Sequence, residues 1–184
     1  MSARERILDT ASRLFYEQGY HATGINQIIE EASIAKSSLY QHFKTKDDLL
    51  IAYLMIAEKA WFEGLKQQTG KDDSPEKKIL SLFDYRMKIM GVKKFKGCIF
   101  VRLAYELQNS DGKAAELIRN YKKKVKVYIR EAVELLNNDK DQESKDQLAN
   151  TIYYLVEGSG VESSIYRSPK PIDDAPKVVS TLIV

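Results

Sequence analysis

Lys36, Ser37, Ser38, Tyr40, Gln41 and His42 place ammonium, hydroxyl, amide and imidazole groups on one short stretch that holds no carboxylate. Such groups bond to phosphates and to base edges. A helix presenting them fits the major groove of duplex DNA, which admits one helix and displays a donor/acceptor code. Leu39 and Phe43 give the same stretch an inward face. Upstream, Ile25, Ile28, Ile29 and Ala32 fall at i, i+3, i+4 and i+7, the stripe of a short amphipathic helix. Ala32 leaves room where two helices cross. The stretch from Thr23 to Phe43 therefore reads as two short helices joined by a tight turn.

The flanks supply what must hold this pair. Ser2-x-x-Glu5 is a capping box that opens a first helix. Ile7, Leu8, Ala11, Leu14 and Phe15 form its buried stripe, and Gly19 ends it. Thr23 is expected to cap the second helix, where its hydroxyl and the free N–H groups of a helix start can also hold a phosphate. Thr45 caps a fourth helix with Asp47 and Asp48 in its first turn.

Gly19-Tyr20…Thr23…Ile25…Ile28…Ala32…Ile34…Lys36…Leu39-Tyr40…His42-Phe43…Lys46…Leu49 resembles the helix-turn-helix of TetR/AcrR-type transcriptional regulators. Two positions depart from that pattern. Ser33 stands where the family usually has Gly, and Ala35 where it usually has a Ser or Thr cap. Each departure costs stability, because non-Gly residues resist φ > 0 and a missing N-cap costs ~1 kcal/mol. The resemblance implies an all-α fold: a helix-turn-helix domain over 1–46, then a helical ligand-binding and dimerisation domain over 47–184. Lys36, Ser37, Ser38, Gln41 and His42 are expected nearest the bases, with Thr23, Tyr40 and Lys46 on phosphates. It also implies a homodimer on a palindromic operator, repression rather than activation, and release by a small-molecule effector.

The later helices read from their stripes. Leu49, Leu50, Tyr53, Leu54, Ala57, Ala60, Trp61 and Leu65 continue the fourth helix, with a break at 70–73. Ser74-Pro75 opens a fifth, on which Ile79, Leu82, Phe83, Arg86, Met87 and Met90 share one face. The stretch 98–107 is apolar nearly all round and is expected to be buried. A turn at 109–112 precedes a long helix with Ile118, Tyr121, Val125, Ile129, Ala132 and Leu136 inward and Lys122-Lys123-Lys124 as a solvated face. After a break at 137–139, a helix over 144–166 shows two apolar faces, Leu148, Ile152, Leu155 and Ser159 against Tyr154, Val161 and Ile165. Its small residues around Gly158 to Ser164 suit close approach of a second copy. Asp173 is expected to cap a last helix with Val178, Val179, Leu182 and Ile183 on one side.

Catalysis finds little support. The two histidines, His21 and His42, both lie in the first domain, and the chain holds one cysteine and no Gly-rich phosphate loop. No metal and no cofactor is expected. Trp61, Phe83, Met87, Arg102 and Tyr105 are the candidate effector site. Arg102 and Glu106, four apart on the most apolar helix, either satisfy each other or leave a partner's place for an acidic or polar ligand. Cys98 is either a packing residue or a redox-sensitive thiol near a helix start. The basic loop 92–96 reads as solvated. Residues 1–60 carry slightly more acids than bases, so net charge does not argue for DNA; placement does, since Lys36, Lys44 and Lys46 cluster around the second motif helix. The uncharged run Gln147 to Val156 is too short to span a bilayer. No signal peptide and no disulfide pair is present, so cytoplasmic residence and no membrane partner are expected. The alternative is a helical ligand-binding or scaffolding protein whose helix-turn-helix serves protein contacts.

Overall fold

A computed structural model describes residues 1–70, 73–91, 96–107, 111–136 and 140–183. Expectations placed on 71–72, 92–95, 109–110, 137–139 and 184 lie outside the described residues. The helices are α1 Ala3–Gln18, α2 Ile25–Glu31, α3 Lys36–His42, α4 Lys46–Gln68, α5 Pro75–Met90, α6 Ile99–Glu106, α7 Lys113–Glu134, α8 Gln142–Tyr166 and α9 Lys170–Leu182, with no strand among the described residues. The all-α reading holds.

Two compact units emerge. The first comprises Met1–Ala60 with Ile99–Asn120, and the second Trp61–Cys98 with Tyr121–Val184. This division falls inside α4 and α7, and it gives α6 to the first unit. A boundary at 46/47 follows helix order along the chain and does not anticipate where a distant helix packs.

In the first unit α1 packs on α2 and α3. Its capping box forms as expected: Ser2 N donates to Glu5 Oε2 at 2.7 Å and Glu5 N to Ser2 Oγ at 3.2 Å. Ile7, Leu8, Ala11, Leu14 and Phe15 are buried with Ile28, Leu39, Phe43, Leu49 and Leu50. Thr45 caps α4 reciprocally with Asp48, through N–H bonds of 2.9 and 3.1 Å. Thr23 is not the cap of α2. It is 1% exposed, its hydroxyl donates to Gly19 O at 2.6 Å, and Gly24 precedes the helix with no side-chain cap. The Thr23 hydroxyl oxygen instead accepts from Gln18 Nε2 at 3.2 Å, so both of these bonds close the loop from α1.

In the second unit α8 packs on α9 and α5, and α5 on α9. Ser74 caps α5 ahead of Pro75, and Asp141 caps α8. Tyr121, Val125, Ile129 and Leu136 are buried as their spacing requires. Asp173 does not cap α9: the helix begins three residues earlier at Lys170, leaving Asp173 in its first turn paired with Lys177 at 2.9 Å. Among the small residues of α8, Gly158 is exposed and Ser163 serves this same chain. Ser163 is fully buried and its Oγ accepts from Ile172 N at 3.3 Å, tying α8 to α9.

The turn between α2 and α3 carries both weaknesses expected of it. Ser33 sits at φ 52°, in the left-handed region, and Ala35 precedes α3 with no side-chain cap. Left-handed backbone costs ~1–2 kcal/mol for a residue with a Cβ, partly offset by the greater chain entropy glycine loses on folding. Ser33→Gly should therefore stabilise the protein by up to ~1 kcal/mol, and Ala35→Ser by ~1 kcal/mol through a restored cap. Urea unfolding measures both. Unchanged midpoints in the two variants would show that the turn carries no strain worth relieving.

Candidate nucleic-acid interface

The surface built on α3 begins with its buried side. Leu39 is fully buried and Phe43 nearly so, with Arg4 lying 5.3 Å over the Phe43 ring. That packing fixes the roll of the helix. Lys36, Ser37, Tyr40, Gln41 and His42 then face solvent, and Ser38 is half-buried at the edge. No carboxylate lies on α3.

The acids of the first unit are engaged elsewhere. Arg13 bonds Glu17 at 3.2 Å and also Glu31, and Glu31 accepts from Gln27 at 2.9 Å. Bonds from Arg13 first, and from Gln27, hold the Glu31 carboxyl below its ordinary range. Gln18 bridges to Gln27 at 2.8 Å, so this network ties α1 to α2. Near-neutral overall charge thus coexists with an acid-free recognition face.

Lys46 is less free than its expected role demands. Its Nζ stands 4.3 Å over the Tyr20 ring, and burial pulls its pKa down despite Asp47 and Glu106 nearby. Tyr20 in turn donates its hydroxyl to Asp47. Burial chiefly, with Asp47, raises the Tyr20 phenol and keeps it protonated.

Residues 7–53 match the family described as bacterial regulatory proteins, tetR family. Over 174 residues the chain is 32% identical to the uncharacterized HTH-type transcriptional regulator YxaF of Bacillus subtilis, covering 92% of this chain and 89% of that one. It is 25% identical over 182 residues to the HTH-type transcriptional repressor DhaR of Mycobacterium sp. strain GP1, covering 96% and 89%. The crystal structure of SCO4454, a TetR-family transcriptional regulator from Streptomyces coelicolor, superposes with a TM-score of 0.89 at 22% identity, over 98% of this chain and 94% of that one. The likeness to SCO4454 concerns the fold. The sequence match to YxaF decides the family.

The chain belongs to the TetR family. It is a DNA-binding transcriptional regulator and not an enzyme.

In this TetR-family chain the expected effector residues divide between the two units. Trp61, Phe83 and Met87 are in the second, Arg102 and Tyr105 in the first. Trp61 meets Phe62, Tyr85 and Tyr121 edge-on, with ring centroids 4.8, 5.8 and 5.5 Å away. Phe83 is buried and Met87 half-buried.

Arg102 and Glu106 do not pair with each other; both reach the end of α1. Arg102 Nη1 donates to Tyr16 O at 2.8 Å. His21 N donates to Glu106 Oε2 at 2.9 Å, and His21 Nε2 donates to Glu106 O at 2.7 Å. A carbonyl only accepts, so His21 carries its proton on Nε2 here. Gly19 lies under this contact at φ 98°, and a Cβ there would stand 2.9 Å from Glu106 Oε1. The backbone conformation favours glycine there, and a side chain would also displace the Glu106 carboxylate. The stretch expected to be buried all round is correspondingly open: Phe100 and Leu103 are buried, while Tyr105 is 70% exposed.

Sequence reasoning missed a second cluster, in the other unit. Arg86 Nη2 donates to Glu157 Oε1 at 2.6 Å, and Lys122 donates to the other oxygen of Glu157. Lys122 is thus not part of a solvated lysine face. The signal in the sequence is Arg86 itself, a cation on an otherwise apolar stripe, which burial obliges to find an acceptor. Burial alone would push the Glu157 carboxyl up; the two cations outweigh it and hold it below the ordinary range.

The α6–α1 clasp generates a contrast between neighbouring residues. Arg102→Ala should cost ~1 kcal/mol by removing a charge-assisted bond to a carbonyl. Tyr105→Ala, on the exposed side, should stay within ~0.5 kcal/mol. Equal losses in denaturant melts would mean that the clasp contributes nothing to the fold.

Proposed function

We propose that this regulator is a repressor that binds a palindromic operator as a homodimer and is released by a small-molecule effector bound in its second unit. The observation that carries DNA reading is the exposed, acid-free face of α3, locked in orientation by Leu39 and Phe43. Lys36, Ser37, Ser38, Gln41 and His42 read base edges on this reading. Tyr40 and Lys46 hold phosphates, Lys46 from its place beside Tyr20. Thr23 supports the turn that presents α2, its hydroxyl being committed to Gly19. Repression is supported by the family and by the name of the relative DhaR, a transcriptional repressor. No described helix is long and apolar enough to cross a membrane, which suits a protein working beside cytoplasmic DNA.

Dimerisation is supported by the outer side of α8 and α9. Tyr154, Val161, Ile165, Tyr166 and Val178 are large, apolar and exposed there. Tyr154, Tyr166 and Val178 line a groove of about 630 Å³ between the two helices. An apolar surface of this kind on a soluble unit marks an association site. Gly158 and Ser159 line the same groove, so part of the stretch from Gly158 to Ser164 lies on this surface, while Ser163 is buried against α9.

The effector reading rests on the course of α4, which begins at Lys46 beside the DNA-reading helix and ends at Gln68 among the residues of the second unit. A ligand acts only through its difference in affinity between two states. A coupling of ~1–3 kcal/mol changes operator affinity several-fold to a hundredfold.

Gel shifts on operator fragments test the division of labour. Gln41→Ala should lose ~1–3 kcal/mol on the cognate site and relax discrimination at one base position. Lys46→Ala should weaken all sequences alike and lower the salt slope by ~1 for each phosphate left without its ammonium. The idea fails if Lys46→Ala alters base preference with the slope intact. For assembly, Ile165→Asp with Tyr154→Asp should sediment as a monomer and bind operator poorly. A wild-type monomer at micromolar concentration would exclude the dimer. Reporter expression that falls when the gene is deleted would make the protein an activator.

A further inference from the structure

We infer that the second unit takes a small organic carboxylate, its anionic group held by Arg86 and Lys122 and its apolar body against the aromatic side chains around Tyr121. This rests on the effector reading above and names the chemical class.

The argument is one of charge and donors in a confined place. Arg86 has a side chain 9% exposed, and its guanidinium donates to Glu157 through Nη2. Its Nε is buried with no hydrogen-bond partner among the described residues. Guanidinium stays charged at any working pH, so this donor cannot be relieved by deprotonation. Lys122 takes the second oxygen of Glu157. Two cations therefore share one carboxylate, and a positive charge is left over where water is scarce. Buried charge demands a counter-charge or a bonded neighbour.

The two tyrosines nearest the cluster do not supply it. Tyr121 and Tyr153 lie in its electrostatic reach, but burial first raises both phenols, Tyr153 to about 12. They remain neutral hydroxyls. Lys122 Nζ also donates to Cys98 Sγ at 4.0 Å, and Cys98 is half-buried. Gly160 permits the close approach of Arg86: a Cβ there would stand 2.6 Å from Nη1. The guanidinium is thereby seated against the α8 backbone. Beside Tyr121, Trp61 and Phe62 add flat apolar surface, with Phe62 6.0 Å from Tyr121 by centroids. A carboxylate on an apolar or aromatic body fits both halves of this arrangement; an amine would repeat the charge already in excess.

The test uses the full-length protein and three pairs of probes: acetate, benzoate and octanoate, each against its amide. Thermal melting and the fluorescence of Trp61, the single tryptophan, report binding without DNA. Benzoate or octanoate should raise the melting temperature saturably and bind at least ~10-fold more tightly than its amide, as a charge-assisted bond requires. Glu157→Gln should tighten carboxylate binding by removing the competing acid, and Arg86→Met should abolish the preference over the amide. Wild-type protein that treats acids and amides alike, or binds neither, overturns the inference, whatever the variants do. So does carboxylate binding confined to Cys98→Ser, which would show the thiolate to be the resident counter-charge. Operator release is read separately by gel shift. A carboxylate that binds yet leaves operator affinity unchanged keeps the site and removes the switch.

Discussion

A guanidinium carried on an apolar helix face needs an acceptor that its own helix does not offer, and in this chain that need decides which helices meet. Arg102 answers it with the carbonyl of Tyr16, near the last turn of α1, and Glu106 follows with two bonds to His21. Those contacts bring α6, far along the sequence, into the unit that carries the DNA-reading helix. Arg86 answers it with Glu157, joining α5 to α8. In each unit the charge selects one partner helix from several that apolar packing alone would accept, because hydrophobic contact is non-directional and a charge-assisted hydrogen bond is not. The cost is that every such group must be fully satisfied, and Arg86 is not.

The difference between the two arginines bears on function. The Arg102 bond is made to a backbone carbonyl, which no ligand replaces easily, and it leaves no buried donor orphaned among the described residues. It is a contact within the first unit, made to α1. Arg86 sits with a second cation over a single acid. The sequence leaves a place for an acidic or polar ligand beside Arg102 and Glu106 on α6; the inferred site puts an acid beside Arg86 on α5 and Lys122 on α7 instead.

How far the sequence could be read follows the range of each interaction. The capping box of Ser2 and Glu5, the cap at Thr45, the Ser74-Pro75 start and the left-handed turn at Ser33 involve residues within four positions, and all four are found. The recognition face was legible for the same reason, since Leu39 and Phe43 alone fix its roll. Thr23 failed because its hydroxyl has two local uses, and the loop carbonyl of Gly19 is the nearer. Lys122 failed because a run of lysines shows nothing of the carboxylate that α8 brings beside one of them. The stretch 98–107 failed because an apolar pattern records what a helix can bury, and its covering partner is a separate matter. Asp173 failed by register, with Pro169 ending the turn earlier than the acid implied.

The turn before α3 ties stability to DNA reading. Ala35 leaves the first N–H groups of α3 without a side-chain acceptor, and Ser33 holds the turn at a backbone conformation that a Cβ resists. Packing of Leu39 and Phe43 maintains the helix in spite of both. The helix that carries Lys36, Ser37, Ser38, Tyr40, Gln41 and His42 is therefore held from its far side by buried side chains, and not from its own start.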